Sequence, residues 1–236
     1  MQPPLFYQPE IQNDNFHLKE EESKHCIRVL RLKTGDEIKV TDGFGNLYRT
    51  VILDPNPKKT VLHVKETIHV ARDRDYRIHM AVSPTKNINR FEWFLEKATE
   101  IGIDEVTPLF CQNSERTVIK TERLQKVIIA AMKQSFKYRM PKLNEPENFS
   151  DFIRKTTIPA AFIAYCDEKE KSLVEAYKRN SDVLILIGPE GDFTPNEIKT
   201  AEKASIKRVH LGKSRLRTET AALIACHTIH VLNTLR

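Results

Sequence analysis

Two short stretches near the C-terminus carry the residue types that backbone-lined ligand sites use: Gly188-Pro189-Glu190-Gly191 and Gly212-Lys213-Ser214-Arg215-Leu216-Arg217. Glycine is scarce in this chain, with seven in 236 residues, against a usual share of ~7%. Three of the seven, Gly188, Gly191 and Gly212, fall in these two stretches. Glycine permits positive φ and close backbone approach, so both stretches read as loops where main chain comes near something. Glu190 adds a carboxylate able to take a proton. Arg217 adds a planar, permanently charged fork suited to an oxyanion or a phosphate. Neither stretch completes a familiar nucleotide motif. Gly212-Lys213-Ser214 looks like the tail of a phosphate-binding loop whose first glycine would fall at Lys207, and Gly188-x-x-Gly191 lacks the first glycine of the dinucleotide fingerprint. On spacing alone, two ordinary glycine turns explain the pattern as well as a ligand site does.

The elements that must position these loops are legible. Val183 to Ile187 is an unbroken apolar run, as expected of a strand buried on both faces. After the first loop, Thr194, Pro195 and Glu197 spell a capping box with proline at the first helical position. Arg208 to Leu211 reads as a short strand before Gly212, and LRTETA leads into a helix over Glu219 to Leu235. Each loop therefore joins a strand end to a helix start, the ligand edge of an open α/β sheet. Upstream, strands over Arg77–Ser83, Val106–Cys111 and Ala160–Tyr165 alternate with helices over Asn89–Ile101, Glu122–Ser135 and Ser172–Lys178. Phe91, Phe94, Leu95, Ala98 and Ile101 form the apolar stripe of the first of these helices, and Gly102 ends it.

Residues 1–71 have another character. A short helix over Glu20–Leu30, bearing Arg28 and then Arg31, precedes strands at Glu37–Thr41, Leu47–Leu53 and Val61–Val70, which suggests a small barrel. A charged link, Ala71 to Asp75, follows it. The sequence thus divides into 1–71 and 72–236, an α/β domain behind a small β domain.

Composition narrows the function classes. The chain is 40% hydrophobic and 30% charged, with a formal net charge of +6, which fits a soluble globular protein. No signal peptide or long apolar run marks it for a membrane, so a cytoplasmic location is expected. Cys26, Cys111, Cys166 and Cys226 lie 85, 55 and 60 residues apart, a spacing of isolated thiols rather than of a metal or disulfide framework. His227 and His230 lack further ligands, so no metal is expected. Between Glu115 and Lys142 eight basic residues meet two acidic ones. Lys137 and Arg139 there alternate with Phe136 and Tyr138, a pattern that can neutralise phosphates and stack on bases. The last helix is apolar around much of its circumference, so it belongs to a core or an interface.

IGPEGDFTPNE (Ile187 to Glu197) with LGKSRLRTETA (Leu211 to Ala221) closely resembles the SPOUT class of methyltransferases, and within it the RsmE family of 16S ribosomal RNA uridine-N3 methyltransferases. RFEWFLEKATEIG (Arg90 to Gly102), KQSFKYRMP (Lys133 to Pro141) and HCIRVLRLKTGD (His25 to Asp36) extend the resemblance to nearly the whole chain. Lys133 departs from the expected pattern, an acidic residue before Gln134. The resemblance implies a C-terminal SPOUT-type α/β domain with a deep trefoil knot, a rare exception to unthreaded topology, behind a PUA-like, RNA-binding β-barrel. It implies S-adenosyl-L-methionine as cofactor, a homodimer, and 16S rRNA of the small ribosomal subunit as partner. The implied cofactor residues are Ile187, Gly188, Pro189, Gly191, Leu211, Gly212, Ser214 and Leu216, the two leucines walling the adenine. Arg217 and Glu190 are the implied catalytic pair. Arg28, Arg31, Arg90, Lys97, Arg116, Lys137 and Arg139 are candidates to reach RNA. Two other readings share these features: a non-catalytic RNA-binding assembly factor, and a transfer RNA ribose 2′-O-methyltransferase of the same fold class.

Overall fold

Alternation of apolar and polar residues over Glu37–Thr41 buries Ile38 and Val40 on one face, whereas Asn46–Asp54 buries Leu47, Thr50 and Ile52 across a register shift between Arg49 and Thr50. The computed structural model describes residues 3–165 and 170–235 and divides the chain into two units. The first runs to Asp73 and also takes in Ile129–Met140. Its strands are β1 (Leu5–Tyr7), β2 (Asn15–His17), β3 (Glu37–Thr41), β4 (Asn46–Asp54) and β5 (Val61–His69), in the order β1-β3-β4-β5-β2. β1 runs parallel to β3, and the other pairings are antiparallel. Helix α1 (Glu20–Lys24) continues into a π-helical turn, His25–Val29. Phe6, Leu18, Cys26, Ile38, Val40, Ile52 and Leu62 form the core. The three-residue strands β1 and β2 escape the sequence reading because so short a run carries no measurable period.

The boundary drawn at 71/72 leaves out Ile129–Met140, which the structure assigns to the first unit. The reason is hydrogen bonding to the β3–β4 turn. Gly45 N donates to Tyr138 O at 2.8 Å, Met140 N to Gly43 O at 2.8 Å, and Arg139 Nη1 to Phe44 O at 2.8 Å. Gly45 has φ +100°, and a Cβ there would collide with the Arg139 guanidinium. Lys133 pairs with Glu22 at 2.5 Å, both side chains mostly buried.

The second unit alternates strand and helix: β6 (Ile78–Val82), α2 (Ile88–Ile101), β7 (Glu105–Phe110), α3 (Thr121–Gln134), β8 (Lys142–Leu143), β9 (Glu147–Asn148), α4 (Phe149–Lys155), β10 (Ala160–Ala164), α5 (Leu173–Ala176), β11 (Val183–Ile187), α6 (Pro195–Lys203), β12 (Lys207–Val209) and α7 (Thr218–Thr234). The last residues of α3 belong to the first unit. The sheet is parallel, ordered β12-β10-β11-β6-β7-β8, with β9 also on β7. All five residues of β11 are buried, as its apolar run requires. The α6 capping box forms, with Glu197 N donating to Thr194 Oγ1 and Thr194 N to Glu197 Oε2. Helix α2 ends on Gly102 at φ +118°.

Two elements are shorter than their sequences suggest. Only Leu173–Ala176 of the Ser172–Lys178 segment is helical, with Ser172 as its cap and Tyr177 already extended. β12 stops at Val209 because His210 leaves the sheet for the segment before α5: its N donates to Lys171 O at 3.1 Å, and Leu173 N donates to its O at 3.0 Å. Cys26, Cys111 and Cys226 are free and buried, and burial raises the Cys226 thiol to about 12; Cys166 lies outside the described residues. No described helix is long and apolar enough to cross a membrane.

His230, on α7, belongs to a polar cluster at the other end of the sheet. Arg74 Nη2 meets Asp104 Oδ2 at 2.8 Å, Ile78 N donates to the same oxygen at 2.8 Å, and Arg74 Nη1 lies 3.0 Å from His230 Nε2. The Arg74 and Asp104 side chains are 13% and 15% exposed. Removing one member of so buried a pair strands the other's charge, so Asp104→Ala should cost about 3 kcal/mol of stability. Calorimetric unfolding checks this, and Asp104→Asn should lose less.

Candidate active site

The site lies at the C-terminal ends of the parallel strands β10, β11 and β12, where loops meet helix starts. The loop after β11 closes on itself, Asp192 N donating to Pro189 O at 2.9 Å. The loop after β12 runs from His210 to Arg217, and Gly212, at φ +124°, sends its N–H to His210 Nδ1 at 3.1 Å. One buried hydrogen bond ties the loops together: Thr218 Oγ1 donates to Gly188 O at 3.0 Å.

Between them is a cavity of about 360 Å³, a size suited to a small-molecule ligand. Ile187, Gly188, Pro189 and Glu190 line it from the first loop, and Leu211, Gly212, Ser214, Leu216 and Arg217 from the second. The structure thus brings together every expected cofactor residue except Gly191. Gly191 packs on Asn113, whose Nδ2 donates to the carbonyls of Gly191 at 3.0 Å and Asp192 at 3.1 Å. A Cβ on Gly191 would stand 3.1 Å from Asn113 Cβ, so glycine there lets the loop seat on its neighbour.

The cavity also takes residues that sequence reasoning did not single out: Tyr165, Asp192, Thr218 and Ala221. Tyr165 follows β10, and its place beside β11 is set by strand pairing, not by sequence proximity. Thr218 and Ala221 carry a readable signal, being the first turn of the helix that follows a ligand loop. Asp192 has φ +62°, and its Oδ1 accepts from Phe193 N at 2.8 Å. Burial pushes its carboxyl above the ordinary range, with the Phe193 hydrogen bond and the Arg215 charge opposing.

The two expected catalytic groups differ in how they are held. Glu190 Oε1 accepts from Lys86 N at 3.0 Å, while its Oε2 is buried without a hydrogen-bond partner. Arg217 stands at the N-cap of α7, exposed, with no ion pair among the described residues. Because Thr218 is the only side chain among the described residues that donates to Gly188 O, Thr218→Val should leave a buried carbonyl unpaired and cost about 1–3 kcal/mol. Chemical denaturation with and without a cavity ligand measures that loss.

The expected RNA-contacting residues are scattered. Arg116 donates to the carbonyls of Thr85 (Nε, 3.1 Å) and Lys86 (Nη2, 2.6 Å), which shapes the loop that holds Glu190. Arg90 Nε is 3.8 Å from Glu219 Oε1 on α7, and Lys97 pairs with Glu96 and Glu100 at 2.6 and 2.9 Å. Arg28 and Arg31 are exposed on the first unit, Arg31 at φ +56°. Arg139 is spent on backbone carbonyls of that unit, and Lys137 is half-buried. Within the basic stretch, Arg123, Lys133 and Lys142 pair with Glu92, Glu22 and Glu105. Much of the local charge excess is therefore met by carboxylates from elsewhere in the chain.

Comparison with known proteins agrees with this geometry. The RNA methyltransferase domain family matches residues 72–230, and the RNA methyltransferase PUA domain family matches residues 18–65. The chain is 30% identical over 215 residues to Ribosomal RNA small subunit methyltransferase E of Synechocystis, covering 87% of this chain and 69% of that protein. It is similar to the crystal structure of a probable rRNA-methyltransferase from Porphyromonas gingivalis, with 43% identity, a TM-score of 0.90 and 98% of each chain covered. A protein from Legionella pneumophila described as a methyltransferase in complex with the bound cofactor SAM is 25% identical, with a TM-score of 0.90 and 98% of each chain covered.

Proposed function

This chain belongs to the RNA methyltransferase domain family, among the small-subunit ribosomal RNA methyltransferase E proteins, and from that premise we propose that it transfers a methyl group from S-adenosylmethionine to N3 of a uridine in 16S rRNA. The observation that carries the reading is the cavity closed by the Thr218–Gly188 hydrogen bond, with Glu190, Arg217 and two apolar walls facing one space. Its size and mixed lining suit an adenosyl ligand. Ile187, Gly188, Pro189, Gly212 and Ser214 hold the cofactor through backbone approach, and Leu211 and Leu216 pack against its adenine. Gly191 acts from outside the cavity by seating the loop on Asn113.

S-adenosylmethionine, when bound, supplies a methyl group already activated on a sulfonium. The chain's own task is to place the uracil, remove its N3 proton and steady the negative charge that results on the flanking carbonyl oxygens. Glu190 is the proton acceptor, since its Oε1 is anchored on Lys86 N and its Oε2 is unspent. Arg217, exposed and unpaired among the described residues, meets the developing oxyanion or the adjacent phosphate. Arg28, Arg31, Arg90, Lys97 and Lys137 contribute to RNA attraction, while Arg116 and Arg139 act mainly on the backbone.

The finer readings follow the same premise. The chain is threaded as a deep trefoil knot; the order β12-β10-β11 and the pairing of His210 with the segment before α5 support it. It works as a homodimer in the cytoplasm, joined through α7, whose Ile224 and Val231 are 38% and 39% exposed, with Leu235 just past its end 53% exposed. Titration calorimetry with S-adenosylmethionine and mass mapping of 16S rRNA from a deletion strain test the proposal. Binding together with the loss of one methyl on a uridine base supports it. Absence of binding sinks the enzyme reading in favour of a non-catalytic factor, and an intact 16S pattern with a missing transfer RNA ribose methyl sinks the substrate.

A further inference from the structure

We infer that Asp192 is the counter-charge for the cationic sulfonium end of the cofactor, and so lets the site tell S-adenosylmethionine from its demethylated product. The inference rests on the cofactor assigned above and goes beyond it by naming what distinguishes substrate from product. The two molecules differ by one methyl and one positive charge: the first carries a sulfonium, the second a neutral thioether. A site of backbone amides and leucines would bind both almost equally. A fixed negative charge in the cavity supplies that discrimination.

Among the described residues, two carboxylates line the cavity, Glu190 and Asp192. Glu190 holds Lys86 N through Oε1, and its unpartnered Oε2 is the atom assigned above to the uracil proton. Asp192 is pinned from three sides: its N donates to Pro189 O at 2.9 Å, its O accepts from Asn113 Nδ2 at 3.1 Å, and its Oδ1 accepts from Phe193 N at 2.8 Å. Its Oδ2 makes no hydrogen bond and its carboxylate forms no ion pair among the described residues, although it lines the cavity. Such anchoring presents one carboxylate oxygen at a set place without a partner. Burial lifts its carboxyl above the ordinary range, and the Arg215 charge on the opposite loop only partly opposes this. The carboxylate is therefore short of solvation, a condition that a bound cation relieves. The backbone at φ +62° lies in the left-handed region, which aspartate, asparagine and glycine tolerate better than other residues.

The test is titration calorimetry of the full chain with S-adenosylmethionine and with S-adenosylhomocysteine, on the wild type and on Asp192→Asn and Asp192→Gly. Both substitutions suit the backbone conformation, and glycine serves if asparagine disturbs the loop. The wild type should favour the sulfonium ligand by about tenfold, equivalent to about 1.4 kcal/mol. In both variants the ratio should collapse toward one, chiefly through weaker binding of the charged ligand. A wild-type preference that survives in both variants overturns the inference and leaves the methyltransferase reading intact. Failure of the wild type to bind either ligand removes that reading and the inference with it.

Discussion

Arg217→Ala should lower turnover on 16S rRNA by about 10²- to 10³-fold while changing S-adenosylmethionine affinity less than threefold or so, the scale seen when one donor to a developing oxyanion is removed. The side chain is exposed and has no ion pair among the described residues, so its loss should cost little stability. The backbone at residue 217 remains to line the cavity and cap α7. Single-turnover rates beside calorimetric affinities separate the two quantities. Equal losses in both would recast Arg217 as a cofactor-binding group, and Arg217→Lys should recover only part of the rate, because an ammonium lacks the fork.

Gly188→Val should weaken cofactor binding by more than about a hundredfold, or 2.7 kcal/mol. A Cβ on Gly188 would stand 3.0 Å from Phe193 Cδ2 and 3.3 Å from Phe193 N. Phe193 cannot yield easily. It is buried in the second unit's core beside Phe149, their ring centroids 5.7 Å apart. Overpacking of this kind costs about 1–3 kcal/mol, and relief comes most readily by moving the loop that forms the cavity wall. The same shift disturbs the Thr218 hydrogen bond to Gly188 O. Circular dichroism should show the strands of the first unit unchanged, because its core contains no residue of this loop. Unaltered affinity in a folded variant would mean that the loop does not bound the ligand.

Local signals account for what could be read from sequence. The buried run of β11 and the box formed by Thr194 and Glu197 are complete within a few residues, so the strand, the loop and the start of α6 are all foreseeable. Features made by distant segments are not. Tyr165 reaches the cavity because β10 pairs with β11, and no property of its own neighbourhood announces that. Asp192 is overshadowed by the adjacent glycine, although its left-handed backbone and cavity position give it the stronger claim. Counting charge between Glu115 and Lys142 overstates free positive charge, because Glu22, Glu92 and Glu105 lie outside the window. The π-helical turn at His25–Val29 has no compositional mark that separates it from the α-helix it extends.

The first unit is discontinuous in sequence, and that has a consequence for biogenesis. Its β3–β4 hairpin depends on Tyr138, Arg139 and Met140, which hydrogen-bond Thr41, Gly43, Phe44 and Gly45. A nascent chain emerging from N- to C-terminus cannot complete these bonds until residue 140 has left the exit tunnel. By then the strands β6 and β7 and all of α3 are already outside. Vectorial maturation of the amino-terminal unit is thereby delayed into the synthesis of the next one, in contrast to the usual order in which an N-terminal domain folds first. A stalled chain ending before Tyr138 should remain protease-sensitive in its first 73 residues, and one released beyond Met140 should become resistant.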